Sequence, residues 1–118
     1  MELVAFVGED KENWGQVTAL LNRMEYAKAI LIQNKSAESF PANDKAKIIK
    51  VDTSQSIAQL TDELREKLKK EISKEFEVAL SLASGSGKEH MSLISALINL
   101  PVGVKLVVYT KDGIKFLT

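Results

Sequence analysis

The segment VALSLASGSGKEH, Val78 to His90, decides the fold. It opens with an apolar run, Val78 to Leu82, short enough for a strand buried on both faces. Ala83-Ser84-Gly85-Ser86-Gly87 breaks that run, and a helical segment follows from about Lys88 to Asn99. Pro101 and Gly103 close the helix. A second strand-like run lies upstream, Leu3 to Val7, bounded by Gly8. Asp10 stands where an N-cap would, before a helix whose apolar positions Trp14, Val17, Leu21 and Met24 recur at helical spacing.

Ala29 to Ile32 and Lys47 to Val51 read as the second and third strands. Between them, Asn34 to Asp44 is polar and contains Pro41, the composition of a loop with at most one short helical turn. A long central helix follows. Ser56 and Gln59 have capping-box spacing, and Ile57, Leu60, Leu64, Leu68 and Ile72 give one apolar stripe. Glu63 with Lys67 and Glu66 with Lys70 are i,i+4 pairs on its solvated face. At the far end, Val104 to Thr110 and Ile114 to Leu117 flank Lys111-Asp112-Gly113, a hairpin signal. The order is β-α-β-β-α-β-α-β-β. It predicts an α/β, Rossmann-like, mostly parallel sheet of about six strands flanked by helices, with a C-terminal β-hairpin. The second and third strands are joined by barely enough residues for a crossover, so a degenerate helix is expected there.

The composition bounds the function. Residues 1–118 are enough for one domain with a core and leave no room for a second. Sixteen basic residues balance sixteen acidic ones, which argues against a surface built for long nucleic-acid duplexes. No apolar window approaches the length of about 18 residues that marks a membrane span, and the acidic N-terminus lacks the pattern of a signal peptide. The absence of cysteine excludes disulfides and thiolate chemistry and fits a cytoplasmic setting. Fourteen lysines and eleven glutamates suggest a thermophile source.

In a parallel sheet that grows outward from its first strand and then returns, ligands sit at the carboxyl ends where the order reverses. Two loops meet there: Gly8-Glu9-Asp10, and Ser84-Gly85-Ser86-Gly87-Lys88. The second has the make-up of an anion site, with close backbone approach at its glycines, hydroxyls, a helix N-terminus and one full positive charge. A tight turn whose glycines serve geometry alone is the other reading. Two phosphate motifs fail. A Walker A loop would need glycine at Leu82 and Ser or Thr at Glu89, and Gly8-Glu9-Asp10-Lys11-Glu12-Asn13 is not the dinucleotide fingerprint. No cofactor is implied.

His90 is the only histidine, so a metal would need carboxylates such as Glu89 at poor spacing, and no metal site is expected. A hydrogen-bonded or solvated imidazole is the simpler reading of His90 than a general acid or base. Asp52 is expected to cap the central helix through Thr53 and Ser54. Trp14 and Tyr109 suit core positions better than stacking on a base. From Met91 to Val104 there is no charged residue, and the helix within that stretch is apolar around most of its circumference. Such a helix needs cover on both sides, which predicts a homodimer through the 91–100 region, with burial inside the monomer as the alternative.

Val78 to Lys88, followed by Met91 and Ser92, resembles the signature of the CRISPR-associated Rossmann-fold (CARF) domains, whose fourth strand ends in a Ser/Thr-Gly-Gly-Thr-Lys type of loop. The chain departs from it at Ser86-Gly87, which sets the hydroxyl one position early. The resemblance implies a dimer binding a cyclic oligoadenylate across its two-fold axis. Ser84, Gly85, Ser86, Gly87 and Lys88 would hold phosphates, and Gly8, Glu9 and Asp10 would line the adenine or ribose side. Some members cleave the ring with a lysine at the place of Lys88, so a ring nuclease is one alternative. A scaffold or interaction subunit without a nucleotide is another. Most members carry a fused effector; here any effector is expected to be a separate protein.

Overall fold

The computed structural model describes residues 1–72 and 77–118. Among these described residues six strands form one sheet: β1 (Glu2–Val7), β2 (Ala29–Gln33), β3 (Ala46–Lys50), β4 (Glu77–Ser81), β5 (Gly103–Thr110) and β6 (Gly113–Phe116). Three helices accompany them: α1 (Trp14–Arg23), α2 (Ile57–Glu71) and α3 (Gly87–Ile98). The sheet order is β3-β2-β1-β4-β5-β6, parallel throughout except for the antiparallel β5–β6 hairpin. The chain therefore builds outward from β1 to β3 and returns to set β4 on the other side of β1, the arrangement that opens a crevice at the carboxyl ends of β1 and β4.

Why Leu3 to Val7 of β1 reads as one unbroken apolar run is plain from its neighbours. Val4 and Phe6 pack beneath α2 and α3 with Ile30, Ile32, Val78 and Leu80. Leu3, Ala5 and Val7 face the opposite layer with Val17, Leu20 and Leu31. Both faces are covered, so no position on this strand is left for a polar side chain to meet water. On α2 the expected stripe is buried at Leu60, Leu64 and Leu68, whereas Ile57 at its first turn is exposed. The Ser56–Gln59 capping box forms with both of its bonds, and Glu63 pairs with Lys67 at 2.6 Å. No described helix is long and apolar enough to cross a membrane.

The β2–β3 connection contains a single 3₁₀ turn, Lys35–Ala37, as its length required. Ala37 and Phe40 cover the sheet where a crossover helix would lie, and Phe40 meets Trp14 edge-to-face at 5.4 Å. Trp14 also donates its indole N–H to the Gly8 carbonyl at 2.8 Å, so it locks α1 onto the β1 loop. β5 outruns β4: their pairing stops at Leu80–Leu106, while β5 continues to Thr110 beside β6. Gln16 of α1 takes over there. Its side-chain amide donates to the Tyr109 carbonyl at 2.9 Å and accepts from the Tyr109 N–H at 3.2 Å, as a neighbouring strand would.

The α3 helix shows two different faces. Leu93, Ala96 and Leu97 are buried against α2 and the sheet, while Met91 and Ile98 are exposed at 59% and 72%. Complete burial of α3 within one chain does not occur. The outer apolar positions are open in the single chain because the sheet and α2 reach only the inner face.

Candidate functional site at the carboxyl ends of β1 and β4

The two loops expected to meet do so at van der Waals distance. A Cβ placed on Gly8 would lie 2.8 Å from the Gly85 Cα, so only glycine allows this crossing. Ser84 fastens it. Its hydroxyl is fully buried, accepts the Gly8 N–H at 2.9 Å and donates to Asp10 Oδ1 at 2.7 Å. The Gly85 N–H donates to the same carboxylate oxygen at 3.0 Å, and Asn13 Nδ2 donates to Asp10 Oδ2 at 2.7 Å. Burial is the largest single influence on the Asp10 carboxyl and would raise it. The bonds from Asn13, Ser84 and Gly85 together outweigh burial and hold the group below its ordinary value of 3.8.

Asp10 therefore differs from the expected helix cap. It stands at the N-cap of a 3₁₀ turn, Lys11–Asn13, without a side-chain capping bond, because its carboxylate is drawn across to the β4 loop. Gly85 adopts φ +111°, which turns its N–H toward Asp10. His90 supports this turn from below: its Nε2 lies 2.7 Å from the Ser84 carbonyl, which can only accept, so Nε2 carries the proton. His90 is the hydrogen-bonded group its position in the first turn of α3 suggested. Glu89 does not turn toward it; its Oε1 accepts the Ser86 N–H at 2.7 Å while Ser86 Oγ accepts the Glu89 N–H at 3.2 Å. That reciprocal pair is a capping box for α3.

Above this base opens a cleft of about 320 Å³, lined by Glu9, Asp10, Thr53, Gly85, Ser86, Lys88 and Glu89. Five of the eight candidate residues thus share one cleft. Gly8 and Ser84 lie beneath it as the crossing and its fastener, and Gly87 is the exposed first residue of α3. The buried Ser84 hydroxyl already bonds Gly8 and Asp10, so it shapes the loop from the inside. Lys88 turns neither to Glu9 nor to Asp10. Its Nζ donates to the Thr53 carbonyl at 2.8 Å. Asp52 caps its own turn, accepting from the Ser54 hydroxyl at 2.6 Å and the Ser54 N–H at 2.9 Å, and the helix cap is Ser56 instead. Those two Ser54 bonds, and after them the charge of Lys88, hold the Asp52 carboxyl below its usual value.

Thr53 and Glu89 are cleft residues that the sequence did not single out as ligand-facing. Thr53 follows β3, two strands away from β1, and only the observed loop path brings it to Lys88.

Fold and cleft together define a Rossmann-like α/β domain with an open site at the topological switch point of its sheet. No protein-family model and no curated protein matches the chain. Among solved structures it is similar to Enterococcus italicus Csm6 bound to cyclic hexa-2′-fluoro-hexa-dAMP, with a TM-score of 0.60 and 13% sequence identity. The likeness covers 90% of this chain and 32% of that one, so the chain spans about a third of the length of its structural neighbour. At this identity the likeness is one of fold, and it supports a CARF-like fold.

Proposed function

We propose that this chain is a CARF-like domain that binds a cyclic oligoadenylate-type nucleotide in the cleft at the carboxyl ends of β1 and β4, and that it does so as a homodimer. The observation that carries the reading is that Gly85, Ser86 and Lys88 open together onto that cleft, at the N-terminus of α3. The fold neighbour solved with a cyclic hexanucleotide supports the ligand class. In this reading Lys88 leaves the Thr53 carbonyl for a phosphate, and Glu9 and Asp10 accept from ribose or adenine donors. A Cβ on Gly87 would meet nothing within 4 Å, so the first turn of α3 is open to approach. The exposed pair Met91 and Ile98 supports α3 as the surface that a second copy covers.

The same cleft suits ring opening in principle. A ribose 2′-oxygen would attack the adjacent phosphorus, the 2′-proton would leave, and the 5′-oxygen of the next nucleotide would depart and take up a proton. Lys88 would stabilise the charge that develops on the phosphoryl oxygens. Unfolding in urea with and without saturating cyclic tetra- and hexa-adenylate tests the binding. Ligand at a hundred times its dissociation constant adds about 2.7 kcal/mol. That gain should disappear in Lys88→Ala, and chromatography of the recovered ligand separates a sensor from a ring nuclease. No gain with either ring overturns the nucleotide reading and leaves the scaffold role.

A further inference from the structure

Beyond Thr53 lies a second, larger groove of about 560 Å³ at the carboxyl ends of β2 and β3. Asn34, Lys35, Glu38, Lys50, Asp52 and Ser54 line it, with Val51 beneath and Thr53 shared with the cleft already described. We infer that this groove is a second nucleotide subsite, and that it takes the phosphodiester which leaves the cleft; the inference rests on the nucleotide reading above.

The two spaces differ in charge and in what each charge already touches. The cleft presents three carboxylates, Glu9, Asp10 and Glu89, against Lys88 as its one cation. Lys88 is itself engaged by the Thr53 carbonyl. A nucleoside, rich in donors, meets acceptors there, but a chain of phosphodiesters meets like charge on one wall. The groove carries no such excess of negative charge: two lysines stand against two carboxylates, Glu38 and Asp52. Lys35 makes no ion pair among the described residues. Lys50 reaches Glu38 only at 3.9 Å, with both side chains more than half exposed, and a pair of that kind is readily exchanged for a phosphate. Asp52 is turned back onto Ser54, and Asn34 is held by Thr53 at 2.7 Å, so the remaining walls are preorganised rather than free to collapse. Thr53 is the ridge between the two spaces. A nucleotide seated in the cleft would send its linkage over Thr53 toward Lys35 and Lys50.

The test measures binding of cyclic hexa-adenylate and linear triadenylate across a range of salt concentrations, with adenosine as the probe that carries no phosphate. The variants are the double substitution Lys35→Gln with Lys50→Gln, and separately Lys88→Ala. Each lysine that no longer neutralises a phosphate should lower the slope of log K against log salt by about 0.7 for a single strand. The double variant is expected to lose roughly twice that slope for the oligonucleotides, since two lysines are removed. Its adenosine affinity and its unfolding midpoint are expected to stay at the wild-type values. Oligonucleotide binding with an unchanged slope in the double variant overturns the second subsite and leaves the cleft reading standing. An equal loss for adenosine also overturns it, because the lysines would then act on the nucleoside or on the loop. No binding of any probe by the wild-type chain overturns both.

Discussion

Asp10 and Ser84, 74 positions apart in the chain, are joined by a 2.7 Å hydrogen bond that makes the loops after β1 and β4 one unit. The carboxylate does more than accept a hydroxyl. It also takes the Gly85 N–H, so the turn that a sequence reading assigns to an external anion already holds an internal one. This explains how an acidic loop can sit beside a glycine-serine loop without repulsion: the negative charge is the acceptor around which the second loop is wound.

Removing the fastener should therefore be costly. Ser84→Ala leaves the Gly8 N–H without its acceptor and takes one of three donors from Asp10, in a position with no access to water. A loss of about 1–3 kcal/mol is expected in urea denaturation, the range for a buried group deprived of its partner. A loss below a few tenths would show that the loops are held by packing alone.

The same bonds give the site an acid limit. The folded Asp10 carboxyl lies below its ordinary 3.8, so its contribution is complete above that value and is lost as pH falls through the lower, folded one. Asp10→Asn removes that charge. Urea midpoints followed downward from neutral pH should show the gap between wild type and Asp10→Asn constant at first and then shrinking through the carboxylate range. A gap that widens on acidification contradicts the assignment.

Two glycines of the loop should answer oppositely to alanine. Gly85 has φ +111°, and a Cβ there would meet His90 Nε2 at 3.0 Å, so Gly85→Ala should cost at least the 1–2 kcal/mol, roughly, of a left-handed residue. Gly87 is the first residue of α3, and a Cβ there meets nothing within 4 Å. Gly87→Ala is expected to be neutral or to stabilise by about 0.4–1 kcal/mol through the unfolded chain. If both variants lose stability alike, the conformational distinction is wrong.

The sheet was legible because its signals are redundant. The runs at Leu3–Val7 and Ala29–Ile32 lie in strands, the run from Val78 does so as far as Ser81, with Leu82 just beyond the strand, and Asp112-Gly113 turns the final hairpin. The capping residues of α2 could be read because Ser56 and Gln59 act locally. The site was less legible because its bonds are long-range. Serine at position 84 looks the same in sequence whether its hydroxyl points out to a ligand or in to Asp10. Asp10 has N-cap spacing, yet a carboxylate 74 residues from its partner carries no local mark of that partner. Thr53 reaches the cleft through the loop after β3, which no periodicity describes.

Gln16 was equally silent, a polar residue on the face of α1 that a helical pattern assigns to solvent. Gln16→Ala leaves the N–H and C=O of Tyr109 without their partner on the β4 side of β5. Stability should fall by about 1–2 kcal/mol. Hydrogen exchange gives the sharper reading: protection of the Tyr109 amide should drop in Gln16→Ala while that of the β1 amides is kept. Unaltered protection at Tyr109 would mean that β6 alone holds this end of β5.

The proposed dimer has its own test on α3. Met91 and Ile98 lie seven positions apart, two turns along one face, and both are exposed in the single chain. Ile94 between them is half-buried and packs on the core, so it cannot be charged without disturbing the fold. Met91→Lys with Ile98→Lys places two ammonium groups on the outer face only. Sedimentation should show the wild-type chain as a dimer and the double variant as a monomer of correct secondary structure. Its intrinsic stability, measured at concentrations where the wild type is also dissociated, should lie within about 0.5 kcal/mol of the wild type. A wild-type chain that remains monomeric at high concentration removes α3 as a self-association surface, and with it the two-fold site for a ring.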